Sequence, residues 1–177
     1  MAFCLKSRCK RKMTLMNVTL RSPSLEDGAA ITQLVKQSQT LDVNSSYLYF
    51  LLASHFSQTC AVAECEGELV GFVTAYRLPQ QADCLFVWQI AVSPLCRAQG
   101  LASKLLSFLA SQPWFASIRQ VQCTISPHNR ASNRLFEKFA AQLGASIQIE
   151  PFLTPVHLGE GHDAEPLVCL DLTASHI

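Results

Sequence analysis

The stretch Val87-Trp88-Gln89-Ile90-Ala91-Val92-Ser93-Pro94-Leu95-Cys96-Arg97-Ala98-Gln99-Gly100-Leu101-Ala102 constrains this chain most, because it converts a strand into a helix within a few residues. Val87–Val92 reads as an apolar strand, and Pro94, which has no N–H for a ladder, closes it. From Gly100 the apolar residues Leu101, Leu105, Phe108 and Leu109 fall at helical spacing. The short loop between them is rich in amide donors, at Arg97, Ala98, Gln99 and Gly100. A helix N-terminus presents N–H groups without intrahelical partners at the positive end of the dipole, which suits a pyrophosphate. Arg97 adds a full charge, Gly100 lets a phosphate approach the backbone, and Ala102 is small enough to keep that approach open. The stretch lacks the three spaced glycines of a dinucleotide fold, and no G-K-[ST] marks a nucleoside triphosphate site.

The rest of the chain supplies regular elements on both sides of this turn. Asn17–Ser22 reads as a short strand broken at Pro23. Ser24-Leu25-Glu26-Asp27 is a variant capping box before a helix carrying Ile31, Leu34 and Val35. A polar loop, Leu41-Asp42-Val43-Asn44-Ser45, leads to a second helix over Tyr47–Phe56. Thr59–Cys65 and Leu69–Leu78 are strands around the hairpin turn Glu66-Gly67-Glu68, and Leu85–Val92 is the next. Val121–Ile125 is a strand stopped at Pro127. Asn129–Leu143 is a helix ended by Gly144, and Ile147–Phe152 and Leu167–Leu172 are strands flanking the loop His157–Glu165. The order β-α-α-β-β-β-α-β-α-β-β predicts an α/β (α+β) fold, a mixed central sheet with helices on both faces.

Composition narrows the class. With 49% hydrophobic and 15% charged residues among 177, the chain can pack a core, and no apolar run approaches the ~20 residues of a membrane span. Lys6, Arg8, Lys10, Arg11 and Lys12 concentrate five cations before Met13, leaving nine Lys/Arg against thirteen Asp/Glu in the remainder, about −4. That head has no pattern that could pack. Residues 1–15 are therefore expected to be a disordered basic extension, a solvated tail and not a nucleic-acid or lipid-binding arm, with residues 16–177 as one domain. Its eight cysteines (4, 9, 60, 65, 84, 96, 123 and 169) show no C-x-x-C pair and no histidine at zinc spacing, so no metal is expected. Mostly set in apolar runs, they suit a reducing cytoplasm.

Arg97-x-x-Gly100-x-Ala102, preceded by Ile90-Ala91-Val92-x-Pro94, resembles the coenzyme A signature [QR]-x-x-G-x-[GA] of the GNAT acetyltransferase superfamily. A second element, Asn129-Arg130-Ala131-Ser132-Asn133-Arg134-Leu135-Phe136, is similar to the superfamily's N-x-x-[AS]-x-x-L-[YF]. Asn129 suits a helix N-cap, and the resemblance implies that it also contacts the pantetheine arm. Phe136 departs from the tyrosine of many members, whose phenol can protonate the leaving thiolate; a phenyl ring has no proton to give. Leu41-Asp42-Val43-Asn44-Ser45-Ser46-Tyr47, Gly71–Pro79 and Leu85–Gln89 further resemble the diaminobutyrate acetyltransferases of ectoine synthesis, a step of osmoadaptation. That likeness runs from about Val18 to Leu172.

The resemblance implies acetyl-coenzyme A as co-substrate, a small diamino acid as acceptor, acetylation at its γ-amine, and a homodimer acting on neither nucleic acid nor membrane. It places the coenzyme between splayed strands, against Ile90, Val92, Arg97, Ala98, Gln99, Gly100, Ala102 and Asn129, with a backbone N–H near Ile90 stabilising the oxyanion. A diamino acid brings two ammonium groups that need anionic or π partners. Asp42, Tyr47, Trp88 and Glu165 are the candidates, Glu165 also as the base, with His157 and His162 as alternatives. Each also suits a structural role: Asp42 in a turn, Tyr47 and Trp88 in the core, Glu165 at a strand edge. Transfer is expected to be direct, because Cys96 has no neighbouring base to activate it. Two other readings remain open at this stage: an enzyme acting on a polyamine or a protein N-terminus, and a coenzyme A-binding module without turnover.

Overall fold

The computed structural model describes residues 17–38, 41–159, 161 and 163–172; the basic head, Cys4, Cys9 and His162 lie outside the described residues. Strand β1 (Val18–Arg21) leads through a 3-10 turn to helices α1 (Gly28–Ser38) and α2 (Ser46–His55). Strands β2 (Ala61–Cys65), β3 (Glu68–Leu78) and β4 (Gln81–Val92) follow, then α3 (Leu101–Ala110), β5 (Gln120–Thr124), α4 (Arg130–Leu143), β6 (Ser146–Leu153), a single turn α5 (Pro155–Leu158) and β7 (Glu165–Asp171). The seven strands form one sheet in the order β1-β2-β3-β4-β5-β7-β6, antiparallel everywhere except between β4 and β5.

Two clusters cover the two sheet faces. Ile31, Val35, Tyr49 and Leu52 of α1 and α2 pack on Val62, Phe72 and Ala91. On the other face Leu101, Leu105 and Leu109 of α3 and Phe136 and Phe139 of α4 pack on Val73, Leu85, Val87 and Val121. Helical spacing explains the split in α2. Tyr49, Leu52 and Ala53 form its buried stripe, and Tyr47, two residues before Tyr49, is rotated to the outside.

The expected element order is thus present, with one addition. The segment beginning at His157 is not all loop: Pro155 opens a helical turn, and the Thr154 N–H donates to Nδ1 of His157 at 3.1 Å. Strand β7 also starts earlier than its apolar run suggests, because Glu165 already pairs with Leu153 of β6. The hairpin turn is as anticipated, with Glu66 and Gly67 both at positive φ.

At the start of α1, Arg21 bridges two carboxylates, Nη1 to Asp27 Oδ2 at 2.7 Å and Nη2 to Glu64 Oε2 at 3.0 Å, while the Ser24 N–H donates to Asp27 Oδ2. The guanidinium foremost, then the Ser24 N–H, hold the Asp27 carboxyl below its ordinary value against the opposing effect of burial. A depressed carboxyl stabilises the fold fully above its unfolded value of ~3.9 and loses that contribution as pH falls through the folded value. Asp27→Asn should therefore cost about 1 kcal/mol at neutral pH, the figure being modest because Arg21 is partly solvated. Urea unfolding across pH should show the gap between variant and parent closing as the medium becomes acidic below that value.

Candidate functional site

The site begins where the sheet comes apart. Strands β4 and β5 are in register only at Cys84↔Gln120, Leu85↔Val121 and Phe86↔Gln122, and β4 then continues from Val87 to Val92 without a β5 partner. A β-bulge lies at the opening. Thr74 faces Gln89 and Ala75 faces Val87, which leaves Trp88 as the extra residue. Leu85 and Val87 before the bulge, and Ile90 and Val92 after it, face the α3 side, so the period-two alternation slips by one. Trp88 and Gln89 both meet Tyr49 of α2. The Trp88 and Tyr49 rings stack with centroids 6.1 Å apart, and the Tyr49 hydroxyl donates to Gln89 Oε1 at 3.1 Å.

On one side of the gap is a cleft of about 500 Å³. Ile90 and Val92 form part of its wall, with Arg97, Ala98, Gly100 and Ala102 at the strand-to-helix turn and Asn129 at the head of α4. Gly100 holds φ +74°, and Ala98, a non-glycine residue, also takes a positive φ of 59°. These left-handed steps curl the backbone so that successive N–H groups can point inward, an anion-binding arrangement that L-residues adopt at a cost of roughly 1–2 kcal/mol. Among the described residues no side chain caps α3, which leaves its first N–H groups available. Arg97, Arg134 and Lys138 border this cleft, and no carboxylate among the described residues does.

On the other side lies a cavity of about 610 Å³ of mixed charge, lined by the carboxylates Asp42 and Glu165, by Arg130 and by Trp88. Thr124 Oγ1 donates to Glu165 Oε2 at 2.7 Å, fixing one carboxylate oxygen. Gln89 Nε2 donates to the Asp42 carbonyl at 3.3 Å, so the Tyr49–Gln89 pair anchors the loop that bears Asp42. The two spaces share Leu41, Ile90, Asn129, Ala131 and Ser132, which form a waist between a cationic cleft and the cavity that bears the carboxylates.

Asp42, Trp88 and Glu165 thus meet around one space, and Ile90 and Asn129 stand at its junction with the other. Tyr47 does not join them: it is 69% exposed and lines neither space, and Tyr49 is the tyrosine that supports the site. Gln99 stands outside the lining of the cleft. Arg97 borders the cleft and also donates through Nη2 to the Ser38 carbonyl at 3.0 Å, tying the turn to the end of α1. Asn129 is an N-cap, its Oδ1 accepting from the Ser132 N–H at 3.1 Å. His157 is exposed and engaged with Thr154, away from the cavity.

Sequence reading missed Gln89, Tyr49, Thr124 and Ser132. A glutamine inside an apolar strand was the available signal, since a buried amide needs partners. Cys96 is fully buried beside the cleft, and desolvation pushes its thiol pKa up, as it does for Cys60, to about 12, and Cys84, to about 11. These thiols stay protonated at neutral pH and are poor nucleophiles. Among the described residues no three His, Cys, Asp or Glu side chains cluster to hold a metal ion, and no helix is long and apolar enough to cross a membrane.

Residues 29–141 match the acetyltransferase (GNAT) family. The L-2,4-diaminobutyric acid acetyltransferase of Vibrio cholerae is 43% identical over 157 residues, covering 88% of this chain and 91% of the relative. That of Halalkalibacterium halodurans is 42% identical over 149 residues, 84% and 78%. Among solved structures, the diaminobutyrate acetyltransferase of Paenibacillus lautus, in complex with L-2,4-diaminobutyric acid and coenzyme A, superposes with a TM-score of 0.86 at 36% identity, covering 91% of this chain and 98% of that one. A Salmonella typhimurium acetyltransferase with bound acetyl-CoA shares the fold at a TM-score of 0.69 and 20% identity. The sheet split at β4 and β5 and the turn that opens α3 therefore sit in a known lineage: the chain belongs to the GNAT acetyltransferase family, among the L-2,4-diaminobutyric acid acetyltransferases.

Proposed function

We propose that the chain transfers the acetyl group of acetyl-coenzyme A directly to the γ-amine of L-2,4-diaminobutyrate, giving N4-acetyl-2,4-diaminobutyrate for ectoine synthesis. The observation that carries the reading is the waist, where a cleft suited to a pyrophosphate opens onto a cavity bearing two carboxylates and an indole. The pyrophosphate lies against the N–H groups of the Ala98–Gly100 turn and α3, with Arg97 on its flank. The pantetheine arm runs past Val92 to Ile90 and Asn129, which brings the thioester to the waist.

In the cavity Asp42 and Trp88 hold the α-ammonium, and Glu165 faces the γ-nitrogen and removes its proton. The neutral amine attacks the carbonyl, the oxyanion is met by a backbone N–H at Ile90, and the thiolate leaves. Solution chemistry would favour the less basic α-amine. Orientation within a site can outweigh that small difference, being worth roughly 7–11 kcal/mol.

Thiol release with acetyl-coenzyme A and a panel of amines tests the reading, followed by NMR of the product. Diaminobutyrate should be preferred over spermidine and peptide N-termini, with the acetyl group on the γ-nitrogen. Preference for another amine, or acetylation chiefly at the α-nitrogen, would sink the acceptor assignment. Absence of turnover with every amine would favour a coenzyme-binding module.

The reading takes residues 16–177 as one domain working in a reducing cytoplasm, with neither nucleic acid nor membrane as partner. It also takes the chain as a homodimer. The edge strand β6 supports the dimer, exposing Ile147, Ile149 (65%) and Phe152 beside Val156 (91%). A monomeric mass by light scattering of the purified protein excludes it, and recovery of the activity in a membrane or extracellular fraction excludes the compartment.

A further inference from the structure

We propose that the hydroxyl of Ser132 donates a hydrogen bond to the coenzyme A sulfur as it departs. This rests on the acetyl-transfer reading of the site. When the amine attacks, a C–N bond forms, and collapse of the tetrahedral adduct breaks the C–S bond and leaves the electron pair on sulfur. A donor aimed at that sulfur lowers the barrier, because the charge exists only late in the reaction.

Geometry restricts the choice of donor. The sulfur sits between the arm in the cationic cleft and the acyl group facing the carboxylate-bearing cavity, which places it at the waist. Of the five residues there, Leu41, Ile90 and Ala131 have no side-chain donor. Asn129 accepts the Ser132 N–H through Oδ1, which ties its amide to the head of α4, and in the acetyl-transfer reading its Nδ2 is taken up by the pantetheine arm. Ser132 lines both spaces, its Oγ takes part in no hydrogen bond among the described residues, and rotation about χ1 alone is enough to re-aim its hydroxyl. Phe136, one turn further along the same face of α4, lines the cavity but is buried and has no proton. The serine thus occupies the position from which a donor can act while the ring at 136 cannot.

The proton balance closes without consuming the serine. The γ-ammonium loses one proton to Glu165 before attack. The nitrogen loses a second as the amide forms, and that proton reaches the thiolate through solvent. Ser132 ends with the hydrogen it began with; it stabilises the leaving group and is not its acid.

Wild-type turnover of diaminobutyrate, measured first, decides the acceptor reading by itself; the ratio of variant to parent then decides the role of Ser132. Ser132→Ala should lower kcat about tenfold, leaving both KM values, the affinity for coenzyme A by calorimetry and the melting temperature near those of the parent. Ser132→Thr, which keeps a hydroxyl, should retain most of the rate. Adding Phe136→Tyr to Ser132→Ala should recover rate by restoring a donor one turn away. An unchanged kcat in a folded Ser132→Ala protein overturns the proposal. A loss confined to coenzyme affinity does so as well, since it would make Ser132 a binding residue.

Discussion

Gly100→Val is expected to bind coenzyme A about a hundredfold more weakly than the parent and still fold. The structure leaves open space where a Cβ at position 100 would project, so no protein atom is struck, and the penalty comes from the backbone. Gly100 holds φ +74° as the residue preceding α3, where a β-branched side chain is strained by roughly 1–2 kcal/mol or more. Valine relieves that strain by abandoning the left-handed step, which swings the N–H groups of the turn off the phosphates. Each lost charge-assisted bond costs a further ~1.5–3 kcal/mol. The same open space is where the ligand must come, so the two methyls also exclude it. Gly100→Ala separates these effects and should lose about tenfold, with backbone strain but little bulk. Calorimetry with coenzyme A on variants that unfold cooperatively measures both. Parental affinity in a folded Gly100→Val protein would remove the coenzyme from this cleft.

Glu165→Gln is expected to lower kcat by about a hundredfold near neutral pH, within the usual range for loss of a general base. Thr124 Oγ1 donates to Oε2, and glutamine retains an oxygen that can accept that bond, so the side chain stays in place while its charge and basicity go. The sign of the pH effect follows from the acceptor. Its ammonium must shed a proton before it can attack, so without a base the rate depends on the small fraction of free amine, which rises with pH. The deficit should narrow steadily as the medium becomes alkaline. A pH-independent deficit, or one seen only in the KM for the amine, would assign Glu165 to binding alone. Asp42 carries no such pH signature in this scheme, which distinguishes the two carboxylates.

The sequence disclosed the parts of the site that depend on local chemistry. Pro94, Arg97, Gly100 and Ala102 announce a strand-to-helix turn suited to an anion, because each acts through its own backbone, charge or size. Asn129 and Gly144 mark the ends of α4 for the same reason, and both cap it. The tertiary parts were less legible. The bulge at Trp88 is a disagreement of register between two strands, visible in one of them only as a three-residue step from Val87 to Ile90. Ala98 gives no hint of its positive φ, since neighbours impose it. Tyr47 and Tyr49 are indistinguishable by composition, and the rotation of α2 against the sheet decides which one supports Gln89. Asp42 and Glu165 are far apart in the chain, and only the sheet order, which sets β7 beside β5, brings them to one cavity.

The unpaired length of β4 has a consequence for solubility. An open sheet edge invites another strand, and apolar edges seed aggregation unless something keeps other chains away. Here the bare edge from Val87 to Val92 lies inside a crevice walled by the head of α4 and by the turn before α3. A neighbouring polypeptide would have to bring a whole strand with its side chains into that space, whereas an unbranched arm enters end-on. A recess narrow enough to suit a slender co-substrate therefore also keeps this internal stretch of edge from adding strands of its own kind.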